Sequence, residues 1–149
     1  MIQSINNKDK LFIDANIFLD IFDPYRPNYK ESLALYTFVV DNNYKLFTSC
    51  DLITTIYYID SKKNKHQALL NIQAMNKTLK VIEFSNKEVE ETCELMLKDS
   101  SFVDLEDTIQ YIMAKKEKCD FIISNDKNFI SKDIRLLTSE EFCKEHKIC

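Results

Sequence analysis

Leu11-Phe12-Ile13-Asp14-Ala15-Asn16-Ile17-Phe18-Leu19-Asp20 is the stretch on which the fold turns. Its first three residues form a continuous apolar run stopped by an aspartate, which reads as a short strand buried on both faces; a strand with one wet face would alternate. From Ala15 to Phe22 the chain reads as a short helix, broken by Pro24 and Pro27, since proline lacks an N–H and clashes with the preceding turn.

The same alternation continues outward. Tyr29 to Val40 has helical periodicity, with Leu33, Tyr36, Thr37 and Val40 on one stripe. Lys45 to Thr48 is a second strand, and a helix from about Leu52 carries Ile53, Ile56, Tyr57 and Asp60. Ser61 to Lys65 is a lysine-rich solvated corner before a helix from Gln67 to Lys77. Lys80 to Phe84 is a third strand, and Ser85-Asn86 caps a helix from Lys87 to Leu97. Asp104 opens a helix whose apolar face is Leu105, Ile109, Ile112 and Met113. Phe121-Ile122-Ile123 is a fourth strand, Ile134 to Leu137 a fifth, and Ser139 starts a closing helix with Phe142 inward. Short apolar strands alternating with helices imply parallel pairing with helices over both faces. The expected fold is one α/β domain spanning residues 1–149, a three-layer α/β/α sandwich with a mostly parallel central sheet.

Composition narrows the chemistry. The 149 residues suit a single domain, and 45% of them are hydrophobic, as in a globular protein. No apolar run is long enough to cross a bilayer. MIQSINNKDK has neither the apolar middle nor the cleavage site of a signal peptide, so a soluble cytoplasmic protein is expected. The five cysteines show no CxxC spacing and the two histidines lie far apart, which argues against structural zinc and for reduced thiols. Glycine is absent altogether. That excludes a Walker loop, a GxGxxG dinucleotide turn and a GxSxG nucleophile elbow, each of which needs glycine for close backbone approach or a sharp bend. A net charge of −4 provides no global basic field for nucleic acid, yet is compatible with an enzyme that gathers cations on carboxylates.

In an open parallel sheet, ligands bind beyond the carboxyl ends of the strands. Asp14 follows the first strand, with Asn16 two residues on. Ser124, Asn125 and Asp126 follow the fourth, and the helix before that strand opens with Asp104, Glu106 and Asp107. Acids from three distant places are thus aimed at one sheet edge. Close carboxylates resist ionisation together. A hard divalent cation resolves that conflict, binding oxygen ligands and activating water for attack on a phosphodiester. Each acid also has a plain structural reading. Asp14 can cap a helix, Asp104 and Asp107 have capping-box spacing, and Asp126 can be a turn residue.

Four segments carry a resemblance to the PIN-domain family. Leu11 to Asp20 is similar to its opening strand ending in D-x-N. Asp104-Leu-Glu106-Asp107-Thr-Ile-Gln-Tyr111 resembles its D-F-E-D-A-L-Q-Y helix start. Cys119-Asp-Phe-Ile-Ile-Ser124-Asn125-Asp126-Lys-Asn-Phe129 resembles A-D-Y-I-V-T-x-[ND]-x-x-F, and Leu137-Thr-Ser-Glu-Glu-Phe142 resembles L-T-P-E-E-F. The resemblance implies a single-strand ribonuclease dependent on Mg²⁺ or Mn²⁺, in the VapC-like branch the toxin of a toxin–antitoxin pair. It implies Asp14, Asp107 and Asp126 as catalytic and metal-holding acids. Asp104 and Glu106 are then neighbours able to meet the metal directly or through water, and Asn16 and Ser124 orient carboxylates or waters. The partners implied are single-stranded RNA and a small antitoxin protein, and a homodimer is compatible with both.

One position departs from the pattern. Where many such proteins place a glutamate on the helix after the second strand, this chain has Thr55, with Asp51 one turn away as a candidate substitute. A ligand fewer favours an alternative, a catalytically weak scaffold that binds RNA or a protein. A third reading is a nuclease or phosphatase of another Rossmann-like family. Lys62, Lys63 and Lys65, and Lys115, Lys116 and Lys118, are the candidate patches for RNA contact.

Overall fold

A computed structural model describes residues 9–149. The stretch read as lacking a signal peptide lies, for residues 1–8, outside them. The sheet has five strands, all parallel, in the order β3-β2-β1-β4-β5. These are β1 (Lys10–Ile13), β2 (Lys45–Ser49), β3 (Lys80–Ile82), β4 (Phe121–Ile123) and β5 (Arg135–Leu137). The helices are α1 (Ala15–Phe22), α2 (Tyr29–Asp41), α3 (Cys50–Asp60), α4 (Lys65–Asn76), α5 (Asn86–Lys98), α6 (Leu105–Lys116) and α7 (Ser139–His146). From β1 to β3 the chain steps one way across the sheet, and β4 and β5 lie on the other side of β1. Right-handed crossovers therefore put α1 to α4 on one face and α5 with α6 on the other. The packing agrees, since α1, α2, α3, α4 and α7 touch one another in series and α5 packs on α6. Among the described residues no helix is long and apolar enough to cross a membrane.

After Lys10 the central strand is apolar because it faces helices on both sides. Leu11, Phe12 and Ile13 are each fully buried. Phe12 pairs with Phe47 of β2 and Ile122 of β4, and Ile13 with Ile123. The ends of β1 and β4 are thereby level, as Asp14 N–H donating to the Ile123 carbonyl at 3.0 Å confirms.

Two helix faces differ from expectation. On α2 the buried residues are Ser32, Leu35 and Val39, whereas Leu33 is exposed. The stripe is displaced because Ser32, a polar residue, occupies the inner face and donates to the buried Asp20 at 2.9 Å. On α6 Leu105 is exposed, while Thr108 to Ala114 are all buried, because α6 is sandwiched between the sheet and α5.

Without glycine, three helices still end in left-handed turns. Asn43, Lys118 and Lys147 have φ of 58°, 56° and 54°. In each case the next N–H reaches back to a carbonyl five residues earlier: Tyr44 to Val39 at 3.0 Å, Cys119 to Ala114 at 2.9 Å, and Ile148 to Cys143 at 3.1 Å. That is the Schellman closure usually entrusted to glycine.

Candidate active site at the sheet switch point

β1 and β4 are the neighbours at which the chain's course across the sheet reverses, and their level ends place Asp14 beside Ser124. Asp14 is 4% exposed and caps α1. Its Oδ1 accepts from Ala15 N–H at 2.7 Å, and its Oδ2 accepts from Ser124 Oγ at 2.6 Å and Asn16 Nδ2 at 3.0 Å. Ser124 Oγ in turn accepts from Asp126 N–H at 3.1 Å, so the hydroxyl aligns the loop that bears Asp126. Asp126 Oδ1 accepts from Asn128 N–H at 2.9 Å, the turn geometry its sequence suggested.

The third acid arrives from the opposite face of the sheet. Asp104 caps α6, accepting from Asp107 N–H at 2.9 Å. This sets Glu106 and Asp107 in the first turn, where the helix dipole favours negative charge. The charges of Asp14 and Asp126 act on Asp107, and that of Asp126 acts on Asp14. Burial first, then the charges of Asp14, Asp104 and Asp126, push the Asp107 carboxyl up to about 7. Asp14 is raised to about 6, mainly by burial and further by Asp126 and Glu106, against the hydrogen bonds from Ser124 and Ala15. The three acids predicted as one site are therefore one electrostatic unit.

Glu106 lies at the rim. Its carboxyl is raised, first by partial loss of water and then by Asp51, and is eased by the hydrogen bond from Thr55. Thr55 Oγ1 is 3.3 Å from Glu106 Oε1, so the position that lacks the glutamate does face the acids. Asp51, whose Oδ1 accepts from Ser49 Oγ, supplies a negative charge on the same side of the site.

Asn125 was not singled out as a site residue, yet it pins the loop. Its N–H donates to Asn16 Oδ1 at 3.0 Å, and its Nδ2 donates to Asp20 Oδ2 at 2.9 Å and to Ser139 Oγ at 3.0 Å. Its Oδ1 accepts from Ser139 N–H at 2.9 Å. No signal in the sequence pointed to this role, because Asp20 lies 105 residues from Asn125 along the chain. In the second lysine patch, two of the three side chains are held by acids. Lys115 is paired with Asp133 at 2.9 Å and Lys116 with Glu88 at 2.7 Å, at the end of α6 remote from Asp107.

The donor set suits a hard divalent cation, being all oxygen and mutually repulsive when ionised. Among the described residues, no three acidic, histidine or cysteine side chains already enclose an ion-sized space. Mg²⁺ keeps several waters and needs only one or two direct carboxylates, so a looser constellation fits it.

Comparison with known proteins finds relatives over most of the chain. Residues 10–128 match the family model for the PIN domain. Over 138 residues the chain is 49% identical to Ribonuclease VapC1 of Aquifex aeolicus, covering 93% of this chain and 96% of that protein. Among solved structures, VapC20 of Mycobacterium tuberculosis, described as a sarcin-ricin loop cleaving toxin, has a TM-score of 0.67 at 12% identity, covering 80% of this chain and 92% of that one. VapBC2 of Rickettsia felis, solved with a DNA fragment from its promoter, has a TM-score of 0.66 at 20% identity, covering 87% and 98%. At those identities the two structures speak for the fold.

Proposed function

The chain belongs to the PIN-domain family, and on that premise we propose that it is a metal-dependent endoribonuclease that cleaves single-stranded RNA and acts as the toxin of a toxin–antitoxin pair. The observation that carries the reading is the convergence of Asp14, Asp107 and Asp126, where burial first and neighbouring carboxylates second raise Asp14 to about 6 and Asp107 to about 7. A relative at 49% identity that bears the name of a ribonuclease supports the activity. A solved neighbour described as a toxin–antitoxin complex from Klebsiella pneumoniae supports the partner.

Asp14, Asp107 and Asp126 would hold Mg²⁺ or Mn²⁺, with Glu106 and Asp51 at the rim. When bound, such an ion lowers the pKa of a coordinated water and neutralises charge developing on phosphate. The chain's own groups set the stage for this. Ser124 and Asn16 fix Asp14 Oδ2, and Asn125 fixes the backbone that carries Asp126. The Asp104 cap presents Asp107 from the opposite layer.

Thr55 is the observation that favours a scaffold without catalysis. Cleavage of a single-stranded RNA with Mg²⁺, with Mn²⁺ and with EDTA separates the two. Activity with either metal and none in EDTA is expected, whereas RNA binding with no cleavage under any metal would establish the scaffold.

A further inference from the structure

The stripe of α3 that borders the acids continues beyond them. Side chains three, four and seven residues apart share a helix face. From Asp51 and Thr55 that spacing leads to Tyr58 and, in the turn after α3, to Lys62. Tyr58 is 68% exposed, and Lys62 Nζ lies 4.6 Å from its ring centroid. An aromatic ring left largely in water adds little to the core. Next in the chain, Lys63 is 2.5 Å from Asp23, which caps the end of α1. Asp23 also accepts from the N–H of Tyr25, whose side chain is 95% exposed. Arg26 follows, its Nε 2.8 Å from Asp20 and its side chain one-third exposed. Two open rings and three cations therefore gather at the corner where α1 and α3 end, and the acids lie where both helices begin. From Asp51 to Tyr58 is ~10 Å along the helix axis, a span that a few nucleotides cover.

Resting on the ribonuclease reading, we infer that Tyr58 and Lys62, flanked by Tyr25 and Arg26, form a subsite for an unpaired nucleotide of the RNA strand a short distance from the cleaved phosphate. The Tyr58 ring stacks on a base, which is sequence-tolerant because every base offers a π face. Lys62, whose ammonium lies 4.6 Å from the Tyr58 ring centroid, meets a backbone phosphate, giving a net-acidic protein a local cation for its substrate. A docked protein segment would need a continuous apolar face. Here the rings are separated by Asp23, Lys62 and Lys63, a pattern that suits a strand alternating bases with phosphates.

The test uses the intact protein and a short single-stranded RNA. Binding is followed by fluorescence anisotropy with Ca²⁺ in place of Mg²⁺, and KM and kcat are measured with Mg²⁺. Tyr58→Ala should weaken binding and raise KM about tenfold with kcat little changed, and Tyr58→Phe should restore both. Lys62→Ala should reduce the slope of log affinity against log salt by roughly 0.7. A substrate too short to reach the rings should not distinguish Tyr58→Ala from the parent. If the parent binds and cleaves RNA but Tyr58→Ala matches it in affinity and KM, the subsite is refuted and the ribonuclease reading stands. If the parent neither binds nor cleaves, both fall. Loss of a co-purified antitoxin in Tyr58→Ala with RNA affinity intact would overturn the inference and make the corner a protein-docking surface.

Discussion

Asp107 separates chemistry from stability more sharply than any other residue. Its carboxyl and that of Asp14 titrate well above their ordinary value in the folded protein, at about 7 and about 6 against 3.8. For an acid raised in this way the folded state binds more protons than the unfolded one between about pH 4 and pH 7. Metal-free stability therefore falls as pH rises through that window. In EDTA, the Tm of the parent should drop between pH 5 and pH 7.5, Mg²⁺ should restore it at the higher pH, and Asp107→Asn should flatten both responses while lowering cleavage on the order of a hundredfold or more. Calorimetry beside an RNA cleavage assay checks this; a parent Tm indifferent to both pH and Mg²⁺ would contradict the shared cation site. Asn125 behaves oppositely. Asn125→Ala takes the Asn125 partner from the buried Ser139 N–H and hydroxyl and one of three donors from Asp20, at a cost of about 2–4 kcal/mol. The Tm should fall on the order of 10 °C, with cleavage by the remaining folded protein reduced because the Asp126 loop is no longer held.

At the scale of elements, α3 and α6 face each other across the site, and Thr55 on α3 is the place to alter it. Thr55→Glu adds a carboxylate beside Glu106 and Asp51. It should destabilise the metal-free protein and tighten Mn²⁺ binding, on the order of tenfold (about 1.4 kcal/mol), as read by isothermal titration; unchanged affinity would mean that position 55 does not reach the ion. The elements themselves were largely legible. β1, β2 and β4 are buried runs past their first residues with no alternation to misread, and Asp104 announces α6 through capping spacing. What sequence could not convey was which face of α2 turns inward. Ser32 is buried there only because Asp20, twelve residues earlier, supplies its partner. Hydrophobic periodicity is blind to such a pair. The site was legible as a list of acids at strand ends. The role of Asn125 was not, since its partners come from α1, α2 and the start of α7, far apart in sequence.

The whole molecule pairs an acidic site with an acidic total charge, −4. An inhibitor that fills the groove would therefore be expected to bring basic side chains. Co-expression with the product of an adjacent small gene should yield a stable complex that suppresses cleavage, and the chain alone should arrest growth. Normal growth together with no co-purifying protein would remove the toxin role and leave the nuclease. The left-handed turns that close α2, α6 and α7 have a different consequence. Lys118 and Lys147 bear the steric cost of a side chain at positive φ, which asparagine at 43 tolerates better. Lys118→Gly should raise Tm, by about 0.5–1 kcal/mol of net stability after the greater freedom of the unfolded chain is counted, and Asn43→Gly by less. Neither position touches the acids. A glycine-free chain thus carries its own suppressor mutations in reserve: a Lys118→Gly background should return part of the Tm that Asn125→Ala loses without altering the acids.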